Sequence, residues 1–229
     1  MTAPVLVAAL DVSRRFRGTG PAPVEALLGV TLEVERGAFV ALVGPSGSGK
    51  STLLALLGAL DRPTSGRVVF DGADLLRASD AARTRVRRRI GIVFQGGPTL
   101  RRVTAVDNVG IPLVARGVPA TEREARARAA LGRVGLADRA GSPPEELSGG
   151  ELQRLGVARA LVGDPELVLA DEPTSSLDRE NAAAVADLLS AAHAEGRTVV
   201  VATHDDALVA RATRVVELAH GRVVADRRR

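Results

Sequence analysis

Apolar residues fall along this chain in two rhythms that take turns. Val30-Thr-Leu-Glu-Val34 alternates at period 2, as a strand with one face on a core does, and Arg67-Val-Val-Phe70 is short and branched in the same way. Ala38–Val43 is a brief apolar run, and after a glycine-rich turn Lys50-Ser-Thr-Leu-Leu-Ala-Leu-Leu57 reads as a helix. Further strand-like runs at Ile90–Phe94, Leu167–Ala170, Thr198–Ala202 and Arg214–Leu218 alternate with helical stretches. That alternation predicts an α/β protein, a mostly parallel sheet with helices packed on it, with an antiparallel β portion near the start. From Gly96 to Arg159 the rhythm changes, because helical stretches such as Thr121–Val134 follow one another with no strand between them. The expected organisation is a core of residues 1–95 and 160–229 with a helical lobe, 96–159, inserted.

The turn before the first helix adds chemistry to this architecture. Gly44-Pro45-Ser46-Gly47-Ser48-Gly49-Lys50-Ser51-Thr52 has the spacing of a phosphate-binding loop preceded by a strand and followed by a helix. Its glycines let backbone N–H groups converge on phosphate oxygens, and the helix N-terminus favours an anion. Lys50 is the only lysine, and every other residue among the 31 lysines and arginines is arginine. A position that resists this bias asks for a compact ammonium rather than a planar guanidinium, as a slot between β- and γ-phosphates does. Lys50 is therefore the expected triphosphate ligand and Ser51 an expected Mg²⁺ ligand.

Composition narrows the alternatives. The 229 residues suffice for one domain with an inserted lobe, and 45% hydrophobic content indicates an ordered protein. Aromatic content of 2% argues against a base-stacking surface, and a net charge of +4 is modest, so no nucleic-acid partner is expected. The absence of cysteine excludes disulfides, thiolate metal sites and cysteine nucleophiles, and it is compatible with the cytosol. No run approaches the roughly 18 apolar residues of a spanning helix, and Val5–Leu10 lacks the basic lead of a signal peptide. Membrane contact is expected only through a partner. The arginine bias points to a GC-rich genome and hence a bacterium. Arg83–Arg89 reads as a solvated helix face, Asp226–Arg229 as a frayed tail, and His193 and His220 as structural or surface residues.

A phosphate loop alone leaves kinases, GTPases and ATPases open. Leu167-Val-Leu-Ala-Asp171-Glu172 is an apolar strand ending in two carboxylates, with Asp171 suited to the Mg²⁺ shell and Glu172 to polarising a water for attack on the γ-phosphate. Leu147-Ser148-Gly149-Gly150-Glu151-Leu152-Gln153-Arg154 sets a serine hydroxyl and two glycine N–H groups at a helix start, a second anion-directed surface. With these segments the sequence resembles the ATP-binding subunits of ABC transporters over essentially its whole length. Phe16, Gly44–Thr52, Gln95, Ser148–Glu151, Asp171-Glu172, Ser176-Leu177-Asp178 and His204 match the family motifs in order.

The resemblance implies a P-loop NTPase (RecA-like) core with the inserted helical signature subdomain, ATP and Mg²⁺ as ligands, and a homodimer or paired cassette. Each ATP would lie between one protomer's loop and Ser148, Gly149, Gly150, Glu151 and Asp178 of the other. Phe16 would stack on adenine, Gln95 would link Mg²⁺ and the attacking water to an integral membrane permease subunit, and His204 would contact the γ-phosphate. Gly58–Gly66, Ser148–Arg154 and Ala170–Thr174 are similar to the lipoprotein-release, macrolide-export and cell-division group. That implies an ATPase powering export at the cytoplasmic face of the cell membrane. Alternatives are a non-transport ATPase that regulates a membrane complex and a soluble nucleic-acid or ribosome-associated ATPase. Leu152, Ser175-Ser176 and Gln95-Gly-Gly-Pro-Thr-Leu-Arg-Arg102 depart from the group's pattern; the last departure bears on the partner and leaves the ATP chemistry alone.

Overall fold

The computed structural model describes residues 3–17, 23–97 and 99–229. The chain forms two compact units, Met1–Arg87 with Thr198–Arg229, and Arg88–Arg197. In the first, β1 (Val5–Phe16) and β2 (Val24–Glu35) pair antiparallel, with Val7 opposite Val34 and Ala9 opposite Leu32. Period 2 becomes burial here, since Val30, Leu32 and Val34 are buried while Thr31 and Glu33 face out. β4 (Ser65–Phe70) pairs with the other edge of β1, and β5 (Ala73–Asp74) completes this antiparallel sheet.

The second layer of strands in this unit centres on β3 (Phe39–Val43). It runs parallel to β8 (Thr198–Ala202) on one side and to β9 (Arg214–Ala219) on the other. Unbroken apolar runs suit strands covered on both faces, and every residue of β8 is buried. Helices α1 (Lys50–Leu57), α2 (Asp80–Arg87) and α7 (Asp206–Arg211) complete the unit.

Two surface readings are corrected in this unit. Asp226–Arg229 is not a frayed tail, because β10 (Arg222–Arg228) pairs antiparallel with β9. The reason is electrostatic: Arg214 is 8% exposed, and its Nε and Nη2 donate to the two carboxylate oxygens of Asp226 at 2.8 and 2.6 Å. The basic run is not uniformly solvated either. Arg83 on α2 is 6% exposed, turned toward the Ala59 carbonyl.

In the second unit, β6 (Ile90–Val93) and β7 (Leu167–Asp171) pair in parallel, with Ile90 opposite Leu167. Beside them Arg89, also in the basic run, donates from Nη2 to Glu166 at 2.7 Å. Helices α3 (Ala105–Val114), α4 (Ala120–Arg133), α5 (Gly149–Leu161) and α6 (Arg179–Ala194) make up most of the rest. Their apolar faces meet in one core, which includes Val109, Leu113, Leu131, Leu136 and Leu155. Among the described residues no strand interrupts the chain from β6 to β7.

Candidate functional site

β3 ends at Val43, and close packing then dictates the shape of the loop. Gly44 has φ 137, and a Cβ there would run into the Leu218 carbonyl oxygen. Gly49 has φ 105, and its Cβ would lie 2.5 Å from the Ala26 carbonyl oxygen. Both positions therefore exclude any side chain. Gly49 is also the N-cap of α1 and offers no side-chain acceptor, so no cap side chain stands between the start of the helix and an outside anion.

Pro45, Ser46, Gly47 and Ser51 are exposed on this loop, Thr52 is half-buried, and Ser48 is 3% exposed with a buried hydroxyl that makes no hydrogen bond among the described residues. Lys50 is 7% exposed. Its Nζ donates to the carbonyl oxygens of Gly44 and Pro45 at 2.7 and 3.3 Å and lies 3.1 Å from His204 Nε2. An ammonium only donates, so Nε2 is the acceptor. The structure thus joins Lys50 to His204, which stands just past β8. Buried ammonium, side-chain-free turn and orphaned hydroxyl form a cradle that fits the oxygens of a triphosphate.

Phe16 closes β1 and is 39% exposed. The Arg14 guanidinium covers one face of its ring, 4.4 Å from the centroid. Arg14 is itself fixed by Asp61, to which Nε and Nη2 donate at 2.7 and 3.0 Å. The pairing of Arg14 with Asp61 was not evident from sequence, since it spans two intervening strands and a helix.

In the second unit, β7 delivers Asp171 as its last residue, half-buried. Glu172 follows with φ 44, in the left-handed region that costs a non-glycine residue energy. Ser175 holds the turn, its N–H and hydroxyl donating to the Glu172 carbonyl at 3.2 and 2.9 Å. Gln95 is exposed two residues after β6.

α5 opens with a capping box that explains the serine and glutamate of the signature. The Ser148 N–H donates to Glu151 Oε2 at 2.8 Å, and the Glu151 N–H donates to Ser148 Oγ at 3.3 Å. The first of these bonds holds the Glu151 carboxyl below its ordinary range, and Arg139 adds to it. The Ser148 oxygen thus accepts within the helix, and its hydroxyl also bonds the Glu151 carboxylate. Gly149 is exposed and Gly150 buried. Asp178 is exposed and caps α6, accepting from the Asn181 N–H at 2.8 Å.

The segment after Gln95 is fastened to its own unit. Gly97 has φ 53, and a Cβ there would lie 2.5 Å from the Leu152 carbonyl oxygen on α5. Gln153, 2% exposed, donates from Nε2 to the Phe94 carbonyl at 3.2 Å. Asn108 is fully buried; it accepts the Leu100 N–H at 2.8 Å and donates to the Val103 carbonyl at 2.8 Å. Arg101 has a partner in its own chain, Glu145 Oε1 at 3.3 Å from Nε, and the Arg102 N–H reaches the same oxygen at 3.2 Å. Pro98 lies outside the described residues. Sequence singled out this stretch but missed its anchors, for which the one available signal was a polar Asn108 among the apolar residues of a helix.

Fold and loop together define a P-loop NTPase. The family model described as ABC transporter matches residues 27–175. Over 211 residues the chain is 48% identical to the macrolide export ATP-binding/permease protein MacB 1/2 of Paracoccus denitrificans, covering 92% of this chain and 32% of that protein. It is 44% identical to the pyoverdine export ATP-binding/permease protein PvdT of Pseudomonas aeruginosa, covering 98% of this chain and 34% of that protein. The chain thus spans about a third of the length of these two relatives. The ATP-binding cassette MJ0796, in a dimeric post-hydrolysis state bound to ADP and Pi, superposes with a TM-score of 0.91 at 36% identity, over 97% of this chain and 98% of that one. The chain belongs to the ABC transporter family and has the fold of its ATP-hydrolysing cassettes.

Proposed function

We propose that this chain hydrolyses ATP as the cassette of a membrane export system, closing head to tail with a second cassette over two nucleotides. The observation that carries this reading is the presence of two separate anion-directed helix starts, the Lys50 loop with α1 and the Ser148-capped start of α5. One triphosphate does not need both from a single chain. In the closed pair, the loop of each cassette faces Ser148, Gly149, Gly150, Glu151 and Asp178 of the other. Lys50 and His204 reach the terminal phosphates, Phe16 carries the base, and Glu172 takes the proton of the attacking water. Ser51, Gln95 and Asp171 would hold Mg²⁺ in this reading, and the ion would supply charge neutralisation for phosphoryl transfer.

The names of the relatives join an ATP-binding part to a permease, which supports a membrane-embedded partner and an export role. Among the described residues no helix is long and apolar enough to cross a membrane. In this reading the chain meets the cytoplasmic face of a bacterial membrane through that partner, and residues 96–159 are the lobe that transmits its motion while 1–95 and 160–229 form the ATPase core. The test is phosphate release by the purified chain together with the elution behaviour of Glu172→Gln. Removing the general base should slow hydrolysis by about 10² to 10⁴ while ATP still binds, so the variant should elute as a dimer in ATP. A variant that stays monomeric in ATP at high protein concentration would falsify the head-to-tail reading.

A further inference from the structure

The two glycines of the signature have different surroundings. An ideal Cβ at Gly149 meets nothing within 4 Å, whereas one at Gly150 would overlap the side-chain amide of Asn181. That amide comes from the first turn of α6, and both its ends are engaged. Its Nδ2 donates to Asp178 Oδ2 at 2.7 Å, and its Oδ1 accepts from Arg154 Nη1 on α5. The Asn181 backbone N–H also donates to Asp178 Oδ1 at 2.8 Å. A carboxylate that only accepts and a guanidinium that only donates fix the amide in one orientation. A chain of charge-assisted bonds therefore runs from Asp178 through Asn181 to Arg154, with the amide lying where Gly150 lacks a side chain.

We propose that Asn181 is a positioning residue that sets the Asp178 turn and the signature helix in register, and that position 150 is glycine to receive its amide. The inference rests on the reading above that Ser148–Glu151 and Asp178 face the second cassette's nucleotide. Both groups must then arrive at one ligand together, and a fixed offset between them lowers the ordering needed for closure. The hydrogen bonds from Asn181 also hold the Asp178 carboxyl below its ordinary range, consistent with a carboxylate kept charged and aimed.

The experiment compares Asn181→Ala, Gly150→Ala and the double variant with wild type, reading kcat, the binding of a fluorescent N-methylanthraniloyl ATP analogue by the uncombined chain, and the melting midpoint. Asn181→Ala should lower kcat about tenfold with analogue binding and melting near wild type. Gly150→Ala should lose more activity, because its methyl and the amide compete for one space. In the double variant that competition is gone, and kcat should return to the level of Asn181→Ala alone. A double variant as inactive as Gly150→Ala, or an Asn181→Ala variant with wild-type kcat, overturns the proposal. Wild-type protein that does not hydrolyse ATP overturns the cassette reading instead, and this inference with it.

Discussion

Lys50 lies against two carbonyls of its own loop and against His204, so its ammonium must turn outward to meet a triphosphate. An amine-directed reagent has one side chain to modify in this protein, and saturating ATP should protect it selectively. Mass spectrometry of the labelled chain checks this; equal labelling with and without ATP would remove Lys50 from the site. Lys50→Arg should impair hydrolysis although charge is kept, because a planar guanidinium needs more room than a compact ammonium between phosphate oxygens. Lys50, Glu172 and Ser148 stand out in sequence as candidates because local spacing carries them. Asn181, Arg154 and Asn108 do not, since their roles come from which helices pack together, and nothing in their neighbours' spacing records that.

The strands legible before the structure were those whose burial writes itself into composition, with Thr198–Ala202 recovered to the residue. β10 was missed because Arg222–Arg228 is charged and mostly exposed, a pattern shared with disordered tails. Its order comes instead from pairing with β9 and from the Arg214–Asp226 ion pair. The Asp226 carboxyl is held below its ordinary value of 3.8, chiefly by the Arg214 hydrogen bonds. A depressed folded value means that this stabilisation is fully present above the ordinary carboxylate range and is lost as pH falls through the folded value. Asp226→Asn should therefore cost about 1 kcal/mol at neutral pH, a modest figure because solvent screens a partly exposed pair, and less at acid pH, as the carboxyl takes up its proton. Denaturant unfolding of both proteins at the two pH values checks the sign.

At the scale of the whole molecule the question is which surfaces meet other chains. The stretch after Gln95, whose departure from the group's pattern bears on the partner, carries two adjacent arginines, but Arg101 already faces Glu145, whose carboxyl is held below its ordinary range chiefly by backbone hydrogen bonding, with Arg101 adding to it. A partner carboxylate would have to compete with Glu145, so any contribution goes more to encounter and choice of partner than to affinity. Arg101→Glu with Arg102→Glu should leave basal hydrolysis near wild type and weaken copurification with the membrane partner, most at low salt. Unchanged copurification and unchanged partner-stimulated hydrolysis would show that these arginines only decorate the loop. Glu172 brings a different tension to the molecule. Its φ of 44 is a backbone state that glycine occupies without strain, so Glu172→Gly should raise the unfolding free energy by about 1 kcal/mol while abolishing turnover, as melting and phosphate-release assays would register. If Glu172 takes the proton of the attacking water as proposed, a population of this gene selected only for heat resistance would drift toward an inert protein at that codon, trading work for durability.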